Sequence, residues 1–406
     1  MDLERRLYEA LRRHLENPRS TKPDLFKIPP AGSIKETSHG PIWMIETSYD
    51  LGYLHGRVEL MRGIRSDALE ILDPCCFRDG FDFLSSAVVD TETTGLAGGT
   101  GTYPFIIGIG KWIGEQFVVR QYILRDFIEE PAQLAAFASD LDSTGSILTY
   151  NGKTFDLPLL RTRFRINRME MPFSNHIHLD FMHSCRKLYK RHFPSLNLTY
   201  LEEKLLGLER TEDVPRHLIP RIYFDYLQHR DDNVLLPILN HNRDDIVGLY
   251  LLAQETLHRV DLALANSCED DLLLLALGHI YYRSGNTQRT LELLSSVKPQ
   301  FASDEAIDEF YMLRCRAAKK LRDWETATAI WEKMRKTGRF GHFPHVELAK
   351  HYEHRIKDSK TALQITNLAL RTMEFERQFI SESRYRSVSE SLRRRQSRLL
   401  KKCGML

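Results

Sequence analysis

Six cysteines (Cys75, Cys76, Cys185, Cys268, Cys315, Cys403) are scattered through the 406 residues without a single Cys-x-x-Cys pair, so the spacing of a zinc site is missing. No apolar run approaches the roughly 20 residues that a membrane span requires. The N-terminus, Met1-Asp2-Leu3-Glu4-Arg5-Arg6-Leu7, begins with charges and lacks a signal-peptide core. A large excess of one charge is also missing. The formal net charge is +2, so any basic footprint for nucleic acid must be local. These absences predict a cytoplasmic chain with free, reduced thiols and no membrane association. The apolar content is ordinary, and the length allows two or three domains with sizeable cores.

In chain order, residues 3–16 place Leu3, Leu7, Leu11 and Leu15 on one stripe, which predicts a short docked helix. Residues 17–40 are a linker-like mix of Pro, Ser, Thr and Gly. From Ile42 to Leu60, aromatic and β-branched residues predict a pair of strands, and no role can be assigned to them from sequence. The pattern is α/β from Phe81 to about Val260 and all-helical beyond Asp261. The predicted domains are therefore 1–80, 81–260 and 261–406.

The chain is organised around Ala87-Val88-Val89-Asp90-Thr91-Glu92-Thr93-Thr94-Gly95-Leu96. On a strand, residues i and i+2 point the same way, so Asp90 and Glu92 stand side by side at the end of an apolar strand. Repulsion and lost hydration disfavour two such charges unless a cation joins them, and a hard divalent ion suits oxygen ligands. A structural pair of acids at a strand end is the bland alternative.

A second acid, Asp156, follows the turn signal Asn151-Gly152 in the first turns of a helix, where it faces the same sheet edge. Gly152-Lys153-Thr154 is no phosphate loop, because the required upstream glycine is Ile147. The third piece is His241-Asn242-Arg243-Asp244-Asp245, in which His241 and Asp245 share a helix face. Asp180 ends another strand near the same edge, as an extra ligand or a support. His183, Arg186, Lys187, Lys190, Arg191 and His192, interleaved with Leu188, Tyr189 and Phe193, make either a groove for a single strand or a solvated helix face.

Three antiparallel strands (to Asp90, Tyr103–Lys111 and Phe117–Leu124) precede strands alternating with helices, which is the order of the ribonuclease H-like fold. The three motifs resemble those of the four-carboxylate (DEDD) 3′ to 5′ exonucleases. The region of about 80–260, including Tyr200-Leu201-Glu202-Glu203-Lys204-Leu205-Leu206-Gly207 and Asp213-Val214-Pro215, more closely resembles the YprB-type ribonuclease H-like proteins of bacteria. In one subclass of the exonucleases a tyrosine stands four residues before the last aspartate, and in the other a histidine stands five before. Here His241 holds the tyrosine spacing.

The resemblance implies a metal-dependent nuclease, in which Asp90, Glu92, Asp156 and Asp245 hold two Mg²⁺ or Mn²⁺ ions about 4 Å apart for phosphodiester hydrolysis. A histidine, with an ordinary pKa near 6.5, suits the proton transfer from water, which gives His241 a catalytic role. The resemblance also implies that Thr93, Gly95 and Leu96 contact the terminal nucleotide of single-stranded DNA or RNA. Asn151 and Phe155 are further substrate-binding candidates. A binding scaffold for nucleic acid or protein, with this fold and little turnover, is the alternative.

In the last third, Leu277-Gly278-His279-Ile280-Tyr281 matches the core of a tetratricopeptide repeat. Thr290, Ala327 and Ala362 recur at intervals of 37 and 35 residues, and Val297, Met334 and Ala369 keep one offset from them. Such repeats offer a concave surface to a protein partner, or only brace the preceding domain. The final helix, with Arg384, Arg386, Arg393, Arg394, Arg395, Arg398, Lys401 and Lys402, is basic enough to grip phosphates or to be a charged tail.

Overall fold

A computed structural model describes residues 32–405 apart from 65, 96–99, 211–213, 298, 300 and 302. The helix predicted over 3–16 lies outside the described residues, as does Leu96. The chain divides into two units, Met1–Leu262 and Ala263–Leu406.

The first unit is built on a mixed seven-stranded sheet. Its strands are β1 (Ser33–Thr37), β2 (Gly40–Asp50), β5 (Ser86–Thr93), β6 (Pro104–Ile113), β7 (Gln116–Ile123), β8 (Ser146–Thr149) and β9 (Ile177–Asp180), and β3 (Leu54–His55) with β4 (Val58–Glu59) form a separate hairpin. The sheet order is β1-β2-β7-β6-β5-β8-β9, antiparallel as far as β5 and parallel from β5 to β9. The antiparallel part therefore has five strands where the sequence pattern suggested three. Ser33-Ile34-Lys35-Glu36-Thr37, in the stretch read as linker, is instead a short edge strand whose polar, charged residues hid it.

Strand β6 is apolar along nearly its whole length, and β5 through Ala87, Val88 and Val89, because both faces are covered there. Helices α1 (Glu130–Leu141), α2 (Asp156–Ile166) and α5 (Ile219–His229) share one core with the sheet, in which Leu134, Phe137, Leu160, Phe164 and Tyr223 meet Ala87, Val89, Phe105, Ile107 and Ile109. Between α2 and α5 run α3 (Phe181–Tyr189) and α4 (Leu198–Leu201), the latter continuing into a π-helical turn, Glu202–Leu206. The long α6 (Leu236–Leu264) carries the third motif.

Close approach of α6 to the sheet depends on two glycines of β6. Gly108 lies opposite Asp90 and Gly110 opposite Val88, so the pair shares a face with the first motif. A Cβ on Gly108 would stand 2.3 Å from Asn242 Oδ1, and one on Gly110 would stand 2.4 Å from Ile246 Cγ2. The bare strand lets the helix seat its polar residues against the acid strand.

The second unit consists of helices α7 (Asp271–Arg283), α8 (Thr287–Ser296), α9 (Asp304–Leu321), α10 (Trp324–Thr337), α11 (Phe343–His351), α12 (Ser359–Glu376) and α13 (Glu382–Lys402). Thr290, Ala327 and Ala362 are fully buried on the second member of successive pairs, so their spacing in sequence reflects packing between helices. On α13, Arg395, Arg398 and Lys402 all bind the buried carboxylate of Glu353, which hydrogen bonds from these cations hold well below the ordinary range. Those three charges of the basic helix serve an internal ion cluster.

Candidate active site

A cavity of about 600 Å³ opens at the carboxyl end of β5. Asp90 and Glu92 project there from one face of the strand, and a bulge between Glu92 and Thr93 ends the regular ladder. Asp156, the first residue of α2, reaches the cavity from the helix that follows the neighbouring parallel strand β8, and Thr91 Oγ1 donates to its Oδ1 at 2.6 Å. His241 and Asp245, one turn apart on α6, enter from the far side. His241 Nε2 stands 3.7 Å from Glu92 Oε1 and 3.7 Å from Asp245 Oδ2.

Thr93, Gly95, Asn151 and Phe155 line the same cavity. The Thr93 hydroxyl donates to the Gly95 carbonyl at 2.8 Å, which shapes the turn leaving the strand. Asn151 has φ +69°, and its carbonyl accepts from Thr154 N and Phe155 N, so the loop is wound tightly enough to present Phe155 half exposed to the opening. Asp180 does not line the cavity. Fully buried, it accepts from Asn151 N at 2.8 Å and Lys153 N at 3.1 Å, and so fixes this loop from behind.

The electrostatics follow from crowding anions at the edge of an apolar sheet. Burial pushes Glu92 up to about 7 and Asp156 up to about 6. Asp90 is raised well above the usual carboxylate range by burial and by the neighbouring charges of Asp245, Asp156 and Glu92. As donors, four carboxylates suit a hard divalent cation, and the raised pKa of Asp90, Glu92 and Asp156 marks a site where added positive charge would be stabilising. As they stand, three of them also have a hydrogen-bond partner in the protein: Asn242 Nδ2 donates to Asp90 Oδ2 at 2.7 Å, Thr91 binds Asp156, and Arg210 Nη1 binds Asp245 Oδ1 at 2.5 Å. Among the described residues, no three acids, histidines or cysteines are arranged to hold an ion without side-chain movement. The residues thus fit such an ion by chemistry and local charge, with Asp90, Glu92, Asp156 and Asp245 as the side chains that could hold it.

Three residues of this region have no role assigned from the sequence. Asn242 is completely buried and binds Asp90, while Arg210 and Glu202 form a buried ion pair behind Asp245. For Asn242 a signal existed, because Gly108-x-Gly110 in a buried strand marks a face where another element comes close. The aromatic part of the groove proposed on α3 is occupied by its own packing. Tyr189 is buried and Phe193 contacts Tyr189, His192 and Tyr200, so the exposed Arg186 and Lys190 lack a stacking platform there.

A mixed sheet with carboxylates gathered at the end of its central strand defines a class. Residues 87–257 match the RNase_H superfamily, and this chain carries a ribonuclease H-like domain followed by a helical C-terminal region. The chain is 29% identical to YprB of Bacillus subtilis (strain 168) over 284 residues, which span 69% of this chain and 68% of that protein. A family B DNA polymerase from the hyperthermophilic archaeon Pyrobaculum calidifontis aligns with a TM-score of 0.34 at 15% identity, over 63% of this chain and only 33% of the polymerase.

Proposed function

We propose that this protein is a divalent-metal-dependent nuclease that removes nucleotides from the 3′ ends of single-stranded DNA or RNA. The observation that carries the reading is that Asp90, Glu92, Asp156, Asp245 and His241, from three separated motifs, line one cavity in which Asp90, Glu92 and Asp156 are held back from ionising.

Mg²⁺ or Mn²⁺, held by the four carboxylates, would supply a polarised water and charge stabilisation for the leaving 3′ oxygen. The remaining work belongs to the chain. His241 Nε2, set between Glu92 and Asp245, takes the proton of the attacking water. Phe155 offers an exposed aromatic face to the terminal base, and Arg216, 63% exposed and 3.8 Å from Asp245, meets the phosphodiester backbone. Gly95 and Thr93 shape the turn on which the terminal nucleotide rests. The helical unit is read as a surface for a protein partner.

A second reading, a binding scaffold with little turnover, draws on the protein partners that Asp90, Asp156 and Asp245 already have. A labelled single-stranded oligonucleotide incubated with Mn²⁺ separates the two. The nuclease reading expects shortening from the 3′ end that is lost in Asp90→Ala and Asp245→Asn. Binding without cleavage under Mg²⁺ and Mn²⁺ sinks it, and cutting of circular single strands makes the activity endonucleolytic.

A further inference from the structure

Behind Asp245 lies a buried chain of charges that the proposed reaction does not use. Arg210, 7% exposed, sends Nη1 to Asp245 Oδ1 at 2.5 Å and Nη2 to both oxygens of Glu202, at 2.7 Å and 2.6 Å. Glu202 has no solvent exposure, so two ionised groups have been taken out of water for this contact. Its carboxylate fits only because residue 248, on α6 three positions after Asp245, is glycine: a Cβ there would stand 1.5 Å from Glu202 Oε1. Glu202 itself opens the π-helical turn, and the β3–β4 hairpin holds that turn in place. Arg57 N donates to Leu206 O at 2.7 Å, Arg57 Nη2 donates to Leu205 O at 3.2 Å, and His55 Nε2 lies 3.8 Å from Glu202 Oε1.

We infer that Arg210 is a positioning residue for Asp245, aimed by Glu202, and that this buried pair sets the affinity of the carboxylate cluster for a divalent cation. The guanidinium takes Oδ1 of Asp245 from outside the lining of the cavity, and the other oxygen, Oδ2, stays on the cavity side, 3.7 Å from His241 Nε2 and 3.8 Å from the exposed Arg216 Nη2. One oxygen is fixed and the other is presented. Outer partners of this kind typically change metal affinity by ~10–100-fold when removed. Arg210 can serve both acids at once because its nitrogens are held in a planar fork, which a lysine cannot reproduce. The Glu202 charge offsets that of Arg210, so the pair orients Asp245 with little net repulsion of an incoming cation. The hairpin from the N-terminal region, whose role could not be read from sequence, acts through Glu202 on the site.

The inference rests on the proposed metal-dependent reading, and a Mn²⁺ titration of the full chain, followed by the electron paramagnetic resonance of free Mn²⁺, tests the two separately. Wild type should bind Mn²⁺ and Asp90→Ala should not. If wild type fails to bind, the nuclease reading fails and this inference goes with it. If wild type binds, Arg210→Gln should weaken binding ~10–100-fold. Arg210→Lys should recover little, and Gly248→Ala should weaken binding similarly, with the double variant Arg210→Gln, Gly248→Ala no worse than the weaker single. Glu202→Gln, which keeps the shape, should also weaken binding and stands in should either single fail to fold by circular dichroism. Unchanged affinity in folded Arg210→Gln or Glu202→Gln overturns the assignment. Tighter binding overturns it too, since Arg210 would then be a competing cation.

Discussion

Asn242 donates one amide hydrogen to Asp90, its Nδ2 standing 2.7 Å from the carboxylate Oδ2, while its own Oδ1 accepts from Gln121 Nε2 at 2.9 Å. The side chain is completely buried between α6 and the sheet, where Gly108 leaves it space. It therefore links the third motif to the first without being an acid of either.

Replacing it should be felt in both stability and site geometry. Asn242→Ala strands an oxygen of Asp90 in a buried setting and leaves Gln121 Nε2 with only the Leu239 carbonyl, and an unsatisfied buried group costs about 1–3 kcal/mol. Urea unfolding should show a loss of that size in metal-free protein and a smaller one with saturating Mn²⁺, which would give Asp90 another partner. An equal loss under both conditions would mean that Asn242 only fills space.

Stability should depend on pH with a sign set by the raised carboxyls. Glu92 at about 7 and Asp156 at about 6 lie above their unfolded values near 4, and Asp90 moves the same way. The folded protein therefore binds more protons than the unfolded chain between about pH 4 and 7. The contribution of these groups is fully present at the acid end of that window and is lost as pH rises through the folded values. Melting temperatures measured with and without Mn²⁺ should diverge from pH 5.5 to pH 8, because the cation restores what ionisation removes. A metal-induced shift of constant size across that range would contradict the assignment.

Much of the site was legible because its parts are local. The i, i+2 acids on β5, the turn before Asp156 and the i, i+4 pair on α6 each follow from the period of one element. The contacts that join those parts are between residues far apart in the chain, such as Asn242 with Asp90 and Arg210 with Asp245, and no period of a single segment announces them. Asp180 shows the same limit from the other side. Its place at a strand end suggested either a ligand or a support, and only the backbone N–H groups of Asn151 and Lys153 show what its oxygens touch. The edge strand β1 was hidden by its polar composition, since an edge with few buried residues carries no apolar signature.

Phe155 is 53% exposed on the wall of a cavity whose floor is anionic, with Met182 and Leu198 also lining it. Stacking of a base on an aromatic ring contributes about 1–3 kcal/mol by alanine substitution. Phe155→Ala should therefore raise KM for a short oligonucleotide roughly 10-fold or more while leaving kcat near wild type. Its half-exposed position predicts a change in folding stability within about 0.5 kcal/mol. A fall in kcat at constant KM would place the ring in the chemistry instead of in binding.

His241 occupies the spacing at which one exonuclease subclass has tyrosine, so the role of its ring is a question of reach. Nε2 is 3.7 Å from oxygens of both Glu92 and Asp245, which places it beside the carboxylates that would hold the cation and the water. If it accepts the proton of that water, His241→Ala should lower kcat by about 10²–10⁴-fold, the usual contribution of a positioned general base. Mn²⁺ affinity and KM should change little, because the four acids and the other lining side chains are untouched. His241→Tyr, which puts a hydroxyl at the same helical position, should recover part of the loss by orienting the water without taking its proton. Steady-state kinetics of the two variants on one 3′-labelled oligonucleotide decide the matter. An alanine variant as fast as wild type would remove the ring from the reaction and leave the carboxylate cluster to act alone.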